Sequence, residues 1–342
     1  MKKILLSAIL ICNAVAFDIS SLSGNIEGMV KNSLSIFGMD GESSSIEVDK
    51  ECKNLFESYD INLEGLFMTL GTYSISNSSK IVGFLNKNDV SSGSLSQDDF
   101  KKMAINLSRN YLWIPLKVEE LYAEEIYNDR LKSGDVVLKS TKNNKYKKMY
   151  KKLDSFLVKY NGYLKENKLS YPYDIKIYIL ATTKKAESLP YGYIFISEDY
   201  IDNGMYETIL AHELSHISKR HPTKEIQYRI VSSYETIDQI TKTVKDMQSK
   251  EIDKKILAGI MTPQIIKKGF EFYAKEQEVE ADSCGLKTIN AFIPNKTSLH
   301  TDNFISNIEH SGYYDKKVEE GFNNHPEKEE RILNIKKIAN SL

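Results

Sequence analysis

Cysteine is scarce. Three cysteines in 342 residues cannot build a disulfide scaffold or a zinc site made of thiolates alone. An excess of positive charge is missing too. Lys and Arg number 46 against 47 Asp and Glu, and a net charge of -1 removes the electrostatic case for binding nucleic acid. Long apolar runs are absent beyond residue 16, and the mean hydropathy of -0.40 excludes a multi-span membrane protein. No internal repeat is visible. Aromatic residues are not lacking: 21 Tyr and 13 Phe, in a chain that is 41% hydrophobic, exclude a wholly disordered polymer. The length suits one large domain or two ordinary ones.

The one apolar stretch lies at the N-terminus. Met1-Lys2-Lys3 is a basic start, residues 4–15 have the length of a signal-peptide core, and Ala14-Val15-Ala16 is an A-x-A cleavage site. The pattern predicts a signal peptide over residues 1–16, a mature chain beginning at Phe17, and an exported protein with the periplasm as its compartment. Cys12 follows Ile11, where lipid attachment would need a small residue. Export would permit a disulfide between Cys52 and Cys284. The sequence favours two separate half-buried thiols over that bridge.

Residues 17–96 read as an N-terminal extension without steady period, closed by the linker-like residues 89–96. From there the spacing predicts helix over 98–128, broken at Pro115. A charged amphipathic helix is expected over 143–166 and strands over 174–180 and 191–196. A helix over 205–221 should stop at Pro222. Helical patterns follow over 223–268, 269–290 and 327–340. Helices, a small sheet, then more helices make an α+β layout, not alternating βαβ units.

His212-Glu213-Leu214-Ser215-His216 falls inside the helix expected over 205–221. Positions i and i+4 share a helix face, so His212 and His216 can hold one metal ion, with Glu213 close enough to reach a water on it. A catalytic zinc takes a third protein ligand and keeps one position open. Glu278 and Asp282, also four apart on an expected helix, supply candidates. Glu278 is read as the third ligand and Asp282 as the carboxylate that holds the far ring nitrogen of a zinc histidine. Glu276 and Glu280 are read as a solvated acidic face, and His221 as a cap at the C-terminus of its helix or a locally packed side chain. His300 and His310 are assigned no role.

Three segments together resemble the forty-eighth zinc metallopeptidase family: Ala211 to His221 around the histidine pair, Glu278-Val-Glu-Ala-Asp282 with the residues that follow, and His325-Pro-Glu-Lys-Glu-Glu-Arg331. That family includes CAAX prenyl endopeptidases, HtpX-type membrane proteases and soluble exported BepA-like proteases; the lack of a later apolar span fits the last branch. The resemblance covers roughly residues 115–340 and leaves 17–96 outside. It implies a mostly helical gluzincin metallopeptidase domain over 97–342, with a small β-sheet beside the H-E-x-x-H helix. It implies one Zn2+ on His212, His216 and Glu278, Glu213 as catalytic base, and His325 and Arg331 near the reacting carbonyl. His325 could stabilise the oxyanion or fill zinc's fourth position as a gate.

The expected activity is zinc-dependent endopeptidase cleavage of loosely folded or misassembled envelope proteins, through water activated on zinc with Glu213 as general base. Strand 191–196 is expected to offer a free edge to extended peptide. The competing reading is an envelope chaperone or assembly factor with a latent protease site. Expected partners are protein and peptide substrates, with envelope assembly machinery beside them and no nucleic acid.

Overall fold

The computed structural model describes residues 48–63, 108–181, 185–233, 275–310 and 328–342, together with residues 105, 239, 242, 243, 246, 247 and 273. The signal peptide expected over 1–16, most of the 17–96 extension, most of 234–272 and His325 lie outside these.

Helix α1 (Leu116–Ser133) begins directly after Pro115, whose extended backbone starts it, and ends at Gly134 in the left-handed region. Strand β1 (Val136–Val137) follows, then α2 (Asn144–Glu166), capped by the Asn143 side chain accepting from the Lys145 amide. Strands β2 (Lys176–Leu180), β3 (Ala186–Leu189) and β4 (Tyr193–Ser197) lead into α3 (Glu198–Asp202) and α4 (Tyr206–Ser218). Then come α5 (His221–Ser233), α6 (Lys275–Phe292), α7 (Thr297–His310) and α8 (Lys328–Ala339). The molecule is α+β: mostly helical, with one small mixed sheet.

The strand order is β1-β2-β4-β3, with β4 parallel to β2 and antiparallel to β3. Alternation sorts the side chains into two apolar layers. Leu180, Tyr193 and Phe195 face a cluster with Trp113, Val118 and Ile226. Ile177, Ile179, Ile194 and Ile196 face a larger one that includes Phe156, Leu210, Leu214 and Leu286. With both faces covered and a neighbour on each side, β4 is internal. It cannot be the free edge expected of residues 191–196; among the described residues the edge strands are β1 and β3, and Glu187, Ser188 and Leu189 of β3 are buried. The β3–β4 connection is Pro190-Tyr191-Gly192, with φ of 60° at Tyr191 and 75° at Gly192. Glycine suits the second position because a Cβ there would meet the Tyr173 ring at 2.9 Å.

Pro222 does not stop a helix. The break comes earlier, at Arg220, whose φ is 54°. Pro222 then sits in the first turn of α5, where its missing N–H costs nothing. Cys52 and Cys284 are joined in a disulfide, with Cα atoms 5.2 Å apart, which corrects the expectation of two separate thiols. Among the described residues no helix is long and apolar enough to cross a membrane.

Candidate metal centre

Helix α4 is buried along nearly its whole length and lies against α6. Gly285 of α6 allows that approach: a Cβ there would lie 3.1 Å from the Ala211 carbonyl oxygen and the His212 nitrogen. The contact brings the faces carrying His212, His216 and Glu278 together. His212 Nε2 and His216 Nε2 are 3.0 Å apart. Glu278 Oε2 lies 3.6 Å from the first and Oε1 3.7 Å from the second. One ligand atom from each of the three falls within 4.8 Å of the others, and all three residues are buried.

The donor set asks for a cation. His212 Nδ1 lies 3.0 Å from Asp282 Oδ1, so its proton belongs on Nδ1 and Nε2 turns a lone pair inward. His216 Nε2 and the Glu278 carboxylate converge on the same point. Burial works against charge on His212, yet the carboxylates of Asp282, Glu278 and Glu213 outweigh it and raise its pKa. Burial, with His212, His221 and Arg331 nearby, holds His216 well below an ordinary imidazole, so it stays neutral. Converging lone pairs beside negative charge fit a divalent metal of the zinc type.

Residues 185–339 match peptidase family M48. This segment is an M48 peptidase domain. The family is one of zinc metalloproteases, which supports metalloendopeptidase activity, and with it peptide substrates, for this domain. No curated protein matches the chain.

Within the M48 domain, Glu213 faces strand β3. The hydrogen bond from the Ser197 amide to the Lys185 carbonyl marks that pair as hydrogen-bonded. By alternation, Ser188 therefore turns its own amide and carbonyl away from β4. Its amide and hydroxyl approach the Glu213 carboxylate, while its carbonyl accepts from the Tyr273 hydroxyl at 3.0 Å. The Tyr273 ring stacks on His216 with centroids 3.9 Å apart. Burial raises the Glu213 carboxyl more than His212 and Ser188 lower it, and it is pushed up to about 7.

Arg331, expected beside the reacting carbonyl, is placed against carboxylates. Its Nε and Nη2 donate to Asp282 at 2.6 and 2.8 Å, and Nη1 lies 3.1 Å from Glu278 Oε2. His325 lies outside the described residues. One reading is corrected, and of the two offered for His221 local packing holds. Glu280 is not part of a solvated face; it is 4% exposed and lies 3.1 Å from His221 Nε2. His221 begins α5, where it is fully buried and reaches back to His216. Sequence reasoning also missed Ser188 and Tyr273. Ser188 lies between the strands expected over 174–180 and 191–196, where no element is expected, and nothing in local spacing links Tyr273 to the histidines.

Proposed function

We propose that the M48 domain belongs to an exported, BepA-like zinc endopeptidase that hydrolyses loosely folded or misassembled proteins of the cell envelope, with the periplasm as its compartment. The observation that carries the chemical half is the convergence of His212, His216 and Glu278 beside Glu213. The cellular half rests on residues 1–16, whose basic start, apolar core and A-x-A site have the form of a signal peptide.

Zinc, when bound, would polarise the scissile carbonyl and make water acidic enough to react near neutral pH. His212, His216 and Glu278 would hold it. Glu213 takes one proton from the attacking water on its carboxylate and delivers it to the leaving amine nitrogen. The water oxygen first bonds to the carbonyl carbon, the C–N bond then breaks onto the nitrogen that Glu213 protonates, and the second water proton passes from the new carboxyl group to the amine, leaving a carboxylate and an ammonium group. Glu213 stands next to His212 and against β3, placed to take that proton and to return it. Extended substrate would pair with β3, not with β4. The outward amide and carbonyl of Ser188 supply the main-chain bonds, in place of those now made to Glu213 and Tyr273. Main-chain pairing reads extended conformation more than side-chain identity, which favours loosely folded chains and envelope assembly intermediates as substrates.

The test is zinc content and casein cleavage by purified protein, with and without chelator, and the mass of protein taken from the envelope fraction. One zinc per chain, chelator-sensitive cleavage and a first residue of Phe17 are expected. An intact Met1 or a lipid on Cys12 would refute the export reading, and zinc-free protein the catalytic one.

A further inference from the structure

The two metal-facing histidines are supported differently. Asp282 reaches the far nitrogen of His212 directly. The far nitrogen of His216 meets another ring: His216 Nδ1 is 2.9 Å from His221 Nδ1. His221 Nε2 is in turn 3.1 Å from Glu280 Oε2. The other Glu280 oxygen accepts from the Asp49 amide at 3.0 Å and lies 3.3 Å from Lys219 Nζ. His221 and Glu280 are both buried.

Proton placement along this line has no free choice. A ring nitrogen that binds metal uses its lone pair, so His216, with Nε2 turned to the metal, carries its proton on Nδ1. Two ring nitrogens 2.9 Å apart share one proton, so His221 Nδ1 accepts. The His221 proton then sits on Nε2 and is donated to the Glu280 carboxylate. The donations run one way from ligand to ring to carboxylate, and the carboxylate that ends the line also accepts from the Asp49 amide.

The backbone is arranged to make this line. The left-handed turn at Arg220 swings His221 back over the helix that carries His216. Cys284 lies four residues after Glu280 on α6, hence one turn along the same face. Its disulfide to Cys52 pins residues 49–52 over Glu280, and Ser283 Oγ adds a bond to the Lys50 carbonyl at 2.8 Å. Lys219 also donates to the Asn54 carbonyl, and the Glu57 amide donates to the Ser218 carbonyl at 2.9 Å.

We propose that His221 and Glu280 are positioning residues of the metal centre, fixing the ring and tautomer of His216, and that residues 49–57 complete the centre from outside the M48 domain. The proposal rests on the zinc assignment. Its test uses the full mature chain, with zinc affinity measured by chelator competition and ligand geometry by the visible spectrum of the Co2+-loaded protein. Removing such a partner commonly weakens metal binding by about 10–100-fold. His221→Leu should show that loss and a shifted cobalt spectrum. His221→Gln should recover most of both, because its amide oxygen can accept from His216 while its NH2 donates to Glu280. Should His221→Leu fail to fold, Glu280→Gln carries the test. It keeps the shape but removes the charge at the end of the line, and a several-fold loss of zinc affinity with a shifted spectrum is expected. Unchanged affinity and spectrum in a folded His221→Leu or in Glu280→Gln would overturn the proposal alone, as would a Gln variant no better than Leu. Wild-type protein that binds no zinc would overturn the metal assignment as well.

Discussion

Arg331 carries one positive charge between two buried carboxylates, Asp282 and Glu278. Breaking a buried ion pair by deleting one partner commonly costs about 3–5 kcal/mol, because the remaining charge is stranded. Here a bound metal would supply a second cation to the same carboxylates. Arg331→Ala should therefore destabilise the metal-free protein by about that amount and the zinc-loaded protein by clearly less. Thermal unfolding with zinc and with chelator measures the difference; equal losses would show that Arg331 and metal do not share charge. Glu213→Gln separates binding from chemistry. The amide is nearly isosteric but cannot take the water proton, so zinc content should persist while cleavage falls by about 10²–10⁴. Turnover at the wild-type rate by the zinc-loaded variant would remove Glu213 from the reaction. The i, i+4 spacings of His212 with His216 and of Glu278 with Asp282 were legible because a helix alone puts each pair on one face. The partners of Arg331, His221 and Glu280 were not. They depend on how α8 and α5 approach α4 and α6, which no local period encodes.

Helices α4 and α6 hold the ligands on separate elements, so the site depends on their distance. Gly285 sets it, with Phe304 Cζ at 3.0 Å and the α4 backbone at 3.1 Å from where a Cβ would be. Phe304 can turn; backbone cannot. Gly285→Ala should push the helices apart by a few tenths of an ångström and cost about 1–3 kcal/mol, the usual range for overpacking. Its zinc affinity should fall with it. A variant as stable and as tightly zinc-bound as wild type would show that the helix pair has slack. Helix α2 was legible from strongly periodic apolar residues such as Leu153, Phe156 and Tyr160, all of which are buried. Strand β3 was not. Ala186-Glu-Ser-Leu189 has a single large apolar side chain, and it becomes a strand through pairing with β4. Helix α7 was hidden for a related reason: Phe304 and Ile308 are buried in a helix that is otherwise largely polar.

At the scale of the molecule, residues 48–57 are a strap across the far side of the metal centre. Polar contacts run from it to Glu280, Ser283, Lys219 and Lys224, and Phe56 packs on Tyr171 with ring centroids 4.8 Å apart. A short strap without secondary structure of its own has little area with which to offset the entropy of being ordered. The disulfide changes that balance. It joins residues 232 apart in sequence, so in the unfolded chain it removes a large share of conformational freedom. Loss of a bond of this kind costs about 2–5 kcal/mol in many proteins. Cys52→Ser/Cys284→Ser should therefore lower the unfolding temperature. Because the strap ends on Glu280, it should also weaken zinc binding, though by less than His221→Leu. Reduction of the wild-type bond should reproduce both effects, and reoxidation should reverse them. The two readouts distinguish a global staple from a local one: a lower unfolding temperature with unchanged zinc affinity would mean the disulfide stabilises the fold without reaching the metal. Loss of zinc affinity that follows reduction before any unfolding would instead tie the oxidised state of the strap to the competence of the site.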